Sequence, residues 1–533
     1  MQRQEMIAAI ESPDEIWDVI IIGGGATGLG AALEATTRGH RTVLVEAHDF
    51  AKGTSSRSTK LVHGGVRYLR QGQIGMVRQS LRERERLLHN APHIVHPLRF
   101  VIPSYTTGGS WFYYAGLKTY DLLAGKTEFP GAKLLSRKQT AERLPTLNTE
   151  NLRGGVLYSD GQFDDTRLSI SLAQTICDHQ GIVLNYSPVT SMIHQGDKLV
   201  GVVALDKESG REISLKGRVI VNATGVFADE IINLDEQTDL SVSQSVVVPS
   251  QGSHIVLDRS FLPGDAAMMI PETKDGRVLF AIPWHDHLLF GTTDLPVKKV
   301  DIEPRPLQEE VEYLLEYAGK YLIKRPTEND ILTQFSGLRP LVRSNSSGQS
   351  TASLSREHDI RTSPSGLISI IGGKWTTYRH MGEQLINLAE KVGDLKAHAS
   401  GTATLPLHGT PIMEKDRSIS TKDEFLKVYG SDLDDLRLLS NKDPSLGKQL
   451  HPRLPYLASQ VVWAARHEMA RTVEDVLARR TRALFLDAKA AIESAPQVAS
   501  LLMQVLGETE SWKKEQIESF EKLAKGYCST GKN

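Results

Sequence analysis

The stretch "DVIIIGGGATGLGAALEATTRGHRTVLVEA", residues 18–47, decides the fold of the amino-terminal part of the chain. "DVIII" is a short β-branched apolar run, typical of a strand buried on both faces of a parallel sheet. It leads into Gly23, Gly25 and Gly28, the glycines of a GxGxxG turn. The first permits a tight turn, the second lets backbone approach a pyrophosphate, and the third lets the next helix pack closely. Because that helix, beginning near Ala26, points its amide groups at the phosphates, the stretch predicts a dinucleotide site.

The second strand of this unit, "TVLVEA", carries Glu46 near its end. An acid about 20 residues beyond the glycines accepts hydrogen bonds from the ribose hydroxyls and repels a 2′-phosphate. We therefore expect NAD or FAD rather than NADP. The alternative is a glycine-rich loop without a ligand, and the ordered series of strand, glycines, helix, strand and acid disfavours it.

Bulk composition excludes several classes of protein. The 533 residues are 40% hydrophobic, enough for two or three domains with large cores. A net charge of −2 gives no indication of nucleic acid binding. Two distant cysteines, Cys177 and Cys528, suit a reducing cytoplasm rather than a disulfide framework or zinc site. With no secretory signal and no run of about 18 apolar residues, we expect a soluble or peripheral protein.

The texture of the sequence changes after about residue 400. Before it, strand-like and helix-like segments alternate, which predicts an α/β architecture. After it, "YLASQVVWAARHEMARTVEDVLARRTRALF" (456–485) and "WKKEQIESFEKLAKGY" (512–527) are amphipathic and helical. Residues 398–411, "HASGTATLPLHGTP", are typical of a linker before a helical C-terminal domain.

Two further stretches favour a flavin over NAD. "DFAKGTSSRSTKLVHGGVRYL" (49–69) is rich in Ser, Thr and Gly, which let backbone lie against a planar ring and offer hydrogen bonds to its polar edge. "GRVIVNATGVFADEI" (217–231) is a strand ending in Ala-Thr-Gly that would return to the same sheet. Each alone is equally well explained as an ordinary polar loop. Together they favour a flavin.

"STKLVHGGVRYL" (58–69) and "IGGKWTTYRHMGE" (371–383) resemble the two signature regions of the FAD-dependent glycerol-3-phosphate dehydrogenases. Further similar motifs are "QGSHIVLD" (251–258), "FAIPWHDHLLFGTTD" (280–294), "FSGLRPL" (335–341) and "ARHEMARTVEDVLARRTR" (465–482). They occur in the family's order and run essentially from end to end of the chain.

The resemblance implies an α/β protein with three domains. A Rossmann-type FAD-binding domain of the D-amino-acid-oxidase-like flavoprotein group is expected from residues 16–95, about 180–250 and 330–397. A mixed-sheet substrate domain is expected from about 96–180 and 251–330. An all-helical C-terminal domain is expected from 412–533.

The FAD-binding residues that the GxGxxG motif and the resemblance imply come from seven separate segments. They are Gly23, Gly24, Gly25, Thr27, Gly28, Glu46, Thr54, Ser55, Ser58, Lys60, Leu61, His63, Gly64, Gly65, Val189, Thr224, Gly225, Gly337, Arg339, Gly373, Lys374, Thr376 and Thr377.

Cations suited to a phosphate-bearing substrate lie inside motifs otherwise short of charge. Arginine's planar fork binds phosphate oxygens bidentately, and lysine supplies a point charge. By the resemblance, Arg67, Tyr68, Arg356 and Lys374 hold the phosphate or the substrate backbone, while Arg339 faces the reacting carbon and also binds substrate. The alternative for any single arginine is a surface salt bridge. It is weaker for Arg339 and Lys374, which follow glycines where strands would end, at the ligand-binding edge of a sheet.

The predicted catalytic residues are His254, Arg339 and Lys374. Histidine titrates near neutrality and can accept the substrate's hydroxyl proton. The structural alternative is a hydrogen-bonded histidine beside an apolar strand, and the family's histidine at this position favours catalysis. Arg339 could instead stabilise the alkoxide or the reduced flavin electrostatically. The sequence leaves these roles open.

We expect no metal. His285 and His287 in "WHDHL" would share a strand face, but no further ligands with zinc-like spacing follow them.

Electrons must leave the reduced flavin. No second strand–GxGxxG–helix unit is seen, so the acceptor is a small molecule, either quinone or oxygen. The resemblance implies FAD as cofactor, glycerol 3-phosphate as substrate, membrane quinone as acceptor, and a cytoplasmic enzyme held peripherally on the inner face of the cell membrane. The family's oxidases carry an insertion that is not apparent here. Alternatives are an oxygen-using oxidase, a non-catalytic flavin-binding regulator and an amine oxidase of the same fold.

The aromatic stretch "GSWFYYAGLKTYDLLAGK" (109–126) is a candidate membrane-docking element. The alternative is a buried aromatic helix. The arginines of 465–482 could simply be a solvated helix face, or aid homodimer contacts or attraction to anionic lipid. We expect no nucleic acid partner.

Overall fold

A computed structural model describes the chain except residues 12–14, 71, 238–244, 272, 344–357, 412–420 and 530–533. It also leaves the side chains of 67, 70 and 421–424 undescribed. Within this part, two large sheets and a mostly helical C-terminal region form the fold. No helix of the described ranges combines the length and the apolar character that crossing a bilayer requires.

The first sheet contains the amino-terminal dinucleotide motif. Its described strands are β1 (Ile16–Ile22), β2 (Thr42–Val45), β7 (Ile182–Leu184), β8 (Val189–Gln195), β9 (Lys198–Leu205), β10 (Glu212–Asn222), β17 (Asp359–Thr362) and β18 (Ile368–Ile371). Strand β1 pairs in parallel with both β2 and β10, and β10 pairs in parallel with β18. Helices pack around this sheet, namely α1 (Arg3–Ile10), α2 (Ala26–Thr37), α7 (Asp165–Asp178), α8 (Ala228–Glu236) and α10 (Tyr378–Val392). Since both faces are covered, Val19, Ile20 and Ile21 are fully buried, as their apolar run predicts.

The second sheet is mixed. Its described strands are β3 (Leu61–Val62), β4 (Val95–Ser104), β5 (Lys133–Ser136), β6 (Gly154–Phe163), β11 (Val247–Asp258), β12 (Ala266–Ile270), β13 (Leu279–Trp284), β14 (His287–Gly291), β15 (Leu295–Pro296) and β16 (Ile331–Val342). The pairing is antiparallel except that β12 runs parallel to β4. Helices α3 (Val66–Arg70), α4 (Ile74–Asn90), α5 (Gly109–Ala124), α6 (Arg137–Arg143) and α9 (Gln308–Tyr321) accompany it.

Two elements pack with a different sheet from the one that the predicted domain boundaries imply. Strand β16 lies in the range assigned to the FAD-binding domain, yet it pairs antiparallel with β11 over nearly its whole length. Helix α7 lies in the range assigned to the substrate domain, yet it packs against α2. The chain therefore crosses between the sheets at more points than a sequence-based division into domains expresses.

The C-terminal region is helical with one added hairpin. Its elements are a 3₁₀ segment (Thr421–Asp432), α11 (Leu433–Lys442), α12 (Ala458–His467), α13 (Ala483–Leu486), α14 (Ala488–Leu506) and α15 (Glu510–Ala524), with the hairpin β19 (Gln449–His451) and β20 (Leu454–Leu457). The stretch 456–485, expected to be helical, is broken: Met469 and Arg482 adopt left-handed backbone, and Asp475–Arg480 forms a π-helical turn. The breaks coincide with long polar side chains that turn inward to the rest of the protein.

Buried ion pairs join the C-terminal region to the first sheet. Arg480 makes two hydrogen bonds with Asp49, at 2.7 and 2.9 Å. Glu468 binds Arg167 of α7 bidentately, at 2.8 and 2.9 Å. All four side chains are 5% exposed or less. Removing one partner of such a pair leaves an uncompensated buried charge, so these pairs fix the domains together.

Candidate active site

A cavity of about 1580 Å³ lies where the two sheets meet. On one side are residues at the carboxyl ends of the parallel strands β1, β2, β10 and β18, the edge at which open α/β sheets bind ligands. On the other side are β11 and β16 of the second sheet. The cavity is large enough for a dinucleotide and a small substrate together.

The glycine turn borders this cavity with backbone alone. Gly23 has φ +111°, and a Cβ there would lie 2.7 Å from the carbonyl oxygen of Ala223. A Cβ on Gly28 would lie 1.9 Å from the carbonyl oxygen of Gly23. Both glycines are therefore required by contact with neighbouring backbone, and they leave the amino end of α2 open to an anionic ligand.

Glu46 is held at the end of β2 as a ribose acceptor should be. Its carboxylate accepts hydrogen bonds from the backbone N–H of Gly24 (2.6 Å) and of His48 (2.9 Å), and it lines the cavity. Burial raises the pKa of Glu46, and the two amide donors oppose that shift. The fixed carboxylate, beside a glycine cradle that excludes a Cβ, fits the adenosine end of a dinucleotide.

The Ser/Thr-rich stretch after Glu46 ties the distant motifs together. The Ser55 hydroxyl accepts from the Ala26 N–H at 3.0 Å, and the Ser55 carbonyl accepts from the Trp375 indole at 2.8 Å. The His63 N–H donates to the Thr376 hydroxyl at 3.2 Å. The two signature regions, about 300 residues apart, therefore form adjoining walls of one cavity.

Most of the predicted FAD-binding residues line the cavity. Those in the lining are Gly23, Gly25, Thr27, Glu46, Thr54, Ser55, Ser58, Leu61, His63, Gly65, Val189, Thr224, Gly225, Gly337, Arg339, Gly373, Lys374 and Thr376. The lining does not include Gly24, Gly28, Lys60, Gly64 and Thr377. Gly28 sits beneath Gly23, where it keeps the turn tight. The Lys60 ammonium points away from the cavity, into the protein.

His254 lies on β11, opposite Phe335 of β16. Its ring stacks on the Phe335 ring at a centroid distance of 4.9 Å, and Nε2 lies 3.0 Å from the Thr59 hydroxyl. Burial, together with the positive charges of Lys60 and Arg339, holds the pKa of His254 well below its usual value. The imidazole is therefore neutral at physiological pH.

Arg339 lines the cavity from the end of β16. Its guanidinium donates to the Thr292 hydroxyl at 3.2 Å and to the Thr293 carbonyl at 3.0 Å, and it lies 3.3 Å from the Asp294 carboxylate. These three residues belong to the "GTTD" segment, which also lines the cavity. The side chain is 24% exposed, so the guanidinium is fixed yet reachable by a ligand.

Lys374 supplies a second cation at the same cavity. It follows Gly372 and Gly373, both with positive φ, after the end of β18. Its ammonium lies 3.8 Å from the centre of the Tyr68 ring and 3.2 Å from the Met76 sulfur. The structure thus brings His254, Arg339, Tyr68 and Lys374 to one cavity. The Arg67 side chain and the whole of Arg356 lie outside the described residues, so their predicted roles stay predictions.

Sequence reasoning did not find the residues behind this lining. Asp165 and Arg482 surround the buried Lys60, and Glu303 anchors the segment 299–302 that lines the cavity. No local motif marks them, because each acts through a partner far away in the sequence. The sequence did show the arginine cluster "ARRTR" (478–482), for which a solvated helix face, homodimer contacts and attraction to anionic lipid were the predictions. The solvated face is wrong for Arg479, Arg480 and Arg482, which are 3% exposed or less.

The histidines considered as metal ligands have other partners. His285 Nε2 lies 3.2 Å from the Asp164 carboxylate, and His287 Nδ1 lies 2.8 Å from the His285 carbonyl. Among the residues that the structure describes, no group of three or more His, Cys, Asp or Glu side chains is arranged to hold a metal ion.

The chain is similar to known flavoproteins over its whole length. Residues 18–379 match the family model described as FAD dependent oxidoreductase, and 367–517 that of the C-terminal domain of alpha-glycerophosphate oxidase. The mitochondrial glycerol-3-phosphate dehydrogenase of Homo sapiens is 36% identical, over 98% of this chain and 75% of that protein. That of Arabidopsis thaliana is 36% identical, over 100% of this chain and 89% of that protein.

A solved structure agrees. The glycerol-3-phosphate dehydrogenase of Bacillus halodurans, complexed with FAD, superposes with a TM-score of 0.80 at 29% identity, covering 100% of this chain and 98% of that one. The recognised resemblance, the fold class and the FAD cofactor are confirmed. The chain belongs to the FAD-dependent oxidoreductases and, within them, to the glycerol-3-phosphate dehydrogenase family.

Proposed function

We propose that this enzyme oxidises sn-glycerol 3-phosphate to dihydroxyacetone phosphate and passes the electrons to a membrane quinone. The observation that carries the proposal is the convergence of His254, Arg339, Tyr68 and Lys374 on the cavity that the GxGxxG turn borders. A neutral proton acceptor and two fixed cations suit a phosphorylated secondary alcohol.

His254 is the proton acceptor in this proposal. When Nε2–H donates to Thr59, the second ring nitrogen, Nδ1, keeps a lone pair, and Nδ1 has no hydrogen-bond partner among the residues that the structure describes. In this proposal the His254 imidazole takes the proton of the substrate's secondary hydroxyl. Bound FAD would supply the acceptor for the hydride that leaves the carbon bearing this hydroxyl. Arg339 and Lys374 orient the substrate and balance its negative charge.

Part of the cavity wall is aromatic. Phe100 stacks on Tyr158 with ring centroids 5.1 Å apart and meets the Phe280 ring edge-on at 6.0 Å. Phe112 and Met269 also line the cavity. Such a wall suits a flat apolar acceptor, because burying its ring against aromatic and methionine side chains removes apolar surface from water. This wall supports quinone as the acceptor.

Helix α5 connects this wall to an apolar surface. Phe112 lines the cavity and is nevertheless 65% exposed, next to Trp111 at 66%. Leu122 on the same helix is 81% exposed, and Ile74, at the start of the neighbouring α4, is 54% exposed. We propose that this patch of Ile74, Trp111, Phe112 and Leu122 rests on the inner face of the cell membrane, so that quinone enters from the lipid.

The proposed reaction is tested by adding glycerol 3-phosphate anaerobically to the purified flavoprotein. We expect the visible absorption band of the oxidised flavin to bleach, and the bleached protein to reoxidise faster with a soluble quinone than with oxygen. Faster reoxidation by oxygen would favour an oxidase. A band that stays unchanged would favour a non-catalytic flavin protein.

The membrane contact is tested with vesicles of anionic lipid. Replacing Trp111 and Phe112 by Ser should lower vesicle binding, because about 25 cal/mol is lost for each Å² of apolar surface no longer buried. Ile323→Ser is the matched control, since Ile323 is 67% exposed but outside the patch. Equal vesicle binding by the two variants would contradict the proposal.

A further inference from the structure

Lys60 stands in the signature "STKLVHGG", but its side chain is fully buried and turned from the cavity. Its ammonium donates to the Ser56 carbonyl at 2.7 Å and to the Asp165 carboxylate at 2.6 Å. The rings of Trp284, Phe335 and Phe485 lie 5.1, 5.6 and 5.5 Å away. Two acceptors and three aromatic rings form a surrounding that suits a cation.

Two sets of contacts connect the Lys60 ammonium to His254, the proposed proton acceptor. The Phe335 ring contacts the Lys60 ammonium and also stacks on the His254 ring, with an angle of 16° between the ring planes. Thr59, the residue before Lys60, holds His254 Nε2. Lys60 is therefore fixed relative to His254, and both side chains are 2% exposed or less.

Two positive charges act on His254. Lys60 comes from the signature segment and Arg339 from β16, and both are cations. Within the described part of the chain, the hydrogen bonds of His254 include none to a carboxylate. A neighbouring cation disfavours protonation of an imidazole, most strongly where little water screens it.

The carboxylates near Lys60 also have other partners. Asp165 lies 3.3 Å from Arg482 and accepts from the Ser58 hydroxyl at 2.7 Å. Asp164 pairs with His285 at 3.2 Å and lies 4.0 Å from Arg482. Asp165 would therefore stay paired without Lys60. Burial and the Arg482 charge lower the pKa of Lys60 to about 7, against the attraction of Asp165.

We propose that Lys60 is a positioning residue that keeps His254 uncharged before substrate oxidation, so that its ring can accept the substrate's proton. The inference rests on the proposed function. In the step it serves, the substrate O–H bond breaks and an N–H bond forms on His254, while the hydride leaves the adjacent carbon. The positive charge of Lys60 acts on His254 through space, and the Lys60 side chain does not contact the substrate.

The first test is the pH dependence of anaerobic flavin reduction by glycerol 3-phosphate. Lys60→Met keeps an unbranched side chain, one atom shorter, and removes its charge, whereas Lys60→Arg keeps the charge. We expect Lys60→Met to move the midpoint of the acidic limb upward by about one pH unit, which is about tenfold slower reduction at a pH on that limb. The rate at the alkaline plateau should not change, and Lys60→Arg should keep the wild-type midpoint. Equal midpoints in all three proteins would overturn the inference.

The second test does not require turnover. Histidine-labelled protein is titrated by NMR, with His254→Gln to assign the His254 signal. At about pH 6.5, where an ordinary histidine is half protonated, we expect His254 to be neutral in the wild-type protein. A wild-type His254 that is half protonated there would overturn the inference even if Lys60→Met failed to fold. If the wild-type flavin is not reduced but His254 is neutral and gains a proton more easily in Lys60→Met, the proposed reaction fails and the electrostatic role of Lys60 stands.

Discussion

On the cofactor side of the cavity, the wall is formed mainly by backbone, namely the glycine turn, the amino end of α2 and the amides that hold Glu46. On the proposed substrate side, the wall is formed by side chains of distant segments, such as His254, Arg339 and Lys374. One short sequence motif specifies the backbone wall, whereas the side-chain wall forms only when the whole fold brings distant segments together. The comparison teaches that flavin binding and substrate chemistry should fail separately when residues are changed.

A substitution in the glycine turn should have the largest effect, and that effect should be on flavin binding. In Gly28→Ala, the new Cβ would lie 1.9 Å from the Gly23 carbonyl oxygen, so the turn must open and the flavin should be lost. The ratio of flavin absorbance to protein absorbance measures this. Gly75→Ala is the control, because its Cβ would meet nothing within 4 Å. Flavin content at the wild-type level in Gly28→Ala would break the comparison.

On the substrate side, His254→Ala should lower the rate of flavin reduction about 10²–10⁴-fold, the usual contribution of a general base. The flavin content should stay normal, since none of the hydrogen bonds described for His254 goes to the glycine turn. Stopped-flow absorbance measures the rate and the bound flavin in one experiment. An unchanged rate would remove His254 from the mechanism, and a loss of flavin would show that the two sides are not separable.

How much of each side could be predicted follows from the same difference. The GxGxxG turn, Glu46 and the buried apolar strand β1 follow from local pattern, because each feature is defined by near neighbours. The direction of the Lys60 side chain does not. Lys60 has φ +61°, outside the regular strand geometry that alternation assumes, and its partner Asp165 lies about 100 residues away. The broken helix at 456–485 also escaped prediction, because buried ion pairs with distant residues override its helical pattern.

Glu303 links the two sides to the C-terminal region. Its carboxylate lies 2.6 Å from Lys52 and 2.8 Å from Arg57, and it accepts from the Tyr527 hydroxyl at 2.9 Å. Burial opposes ionisation, but the charges of Arg57 and Lys52 hold the pKa of Glu303 well below its usual range. Glu303 lies in none of the motifs quoted above, and it directly follows the segment 299–302 that lines the cavity.

Glu303→Gln should therefore loosen the cavity wall, although Glu303 lies outside the motifs that form its cofactor and substrate sides. Removing one charge of a buried pair costs about 3–5 kcal/mol, an upper value here because Gln keeps some hydrogen bonds. We expect a lower free energy of unfolding in urea and faster release of flavin on dilution. A variant with wild-type stability and wild-type flavin release would show that the 299–302 segment needs no anchor.

The smallest effect is expected at His408, in the linker between the first sheet and the C-terminal region. Its ring lies 2.7 Å from Asp178 at the end of α7 and 3.1 Å from Asp432 at the start of α11. Burial alone would lower its pKa, but hydrogen bonds to the two carboxylates raise the pKa of His408 to about 9. Because the folded-state pKa lies above the unfolded value of about 6.5, the stabilisation is complete below that pH.

As pH rises from about 6.5 through 9, that stabilisation should be lost. Solvent reaches the ring, so we expect a loss of about 1–2 kcal/mol in the free energy of unfolding rather than the full value of the shift. Urea titrations at the two ends of this range measure it, and His408→Asn should remove this contribution while keeping the backbone contacts with Ser171 and Thr175. Since His408 touches neither wall of the cavity, flavin content should not follow the titration; a parallel loss of flavin would mean that the C-terminal region controls the cofactor side as well.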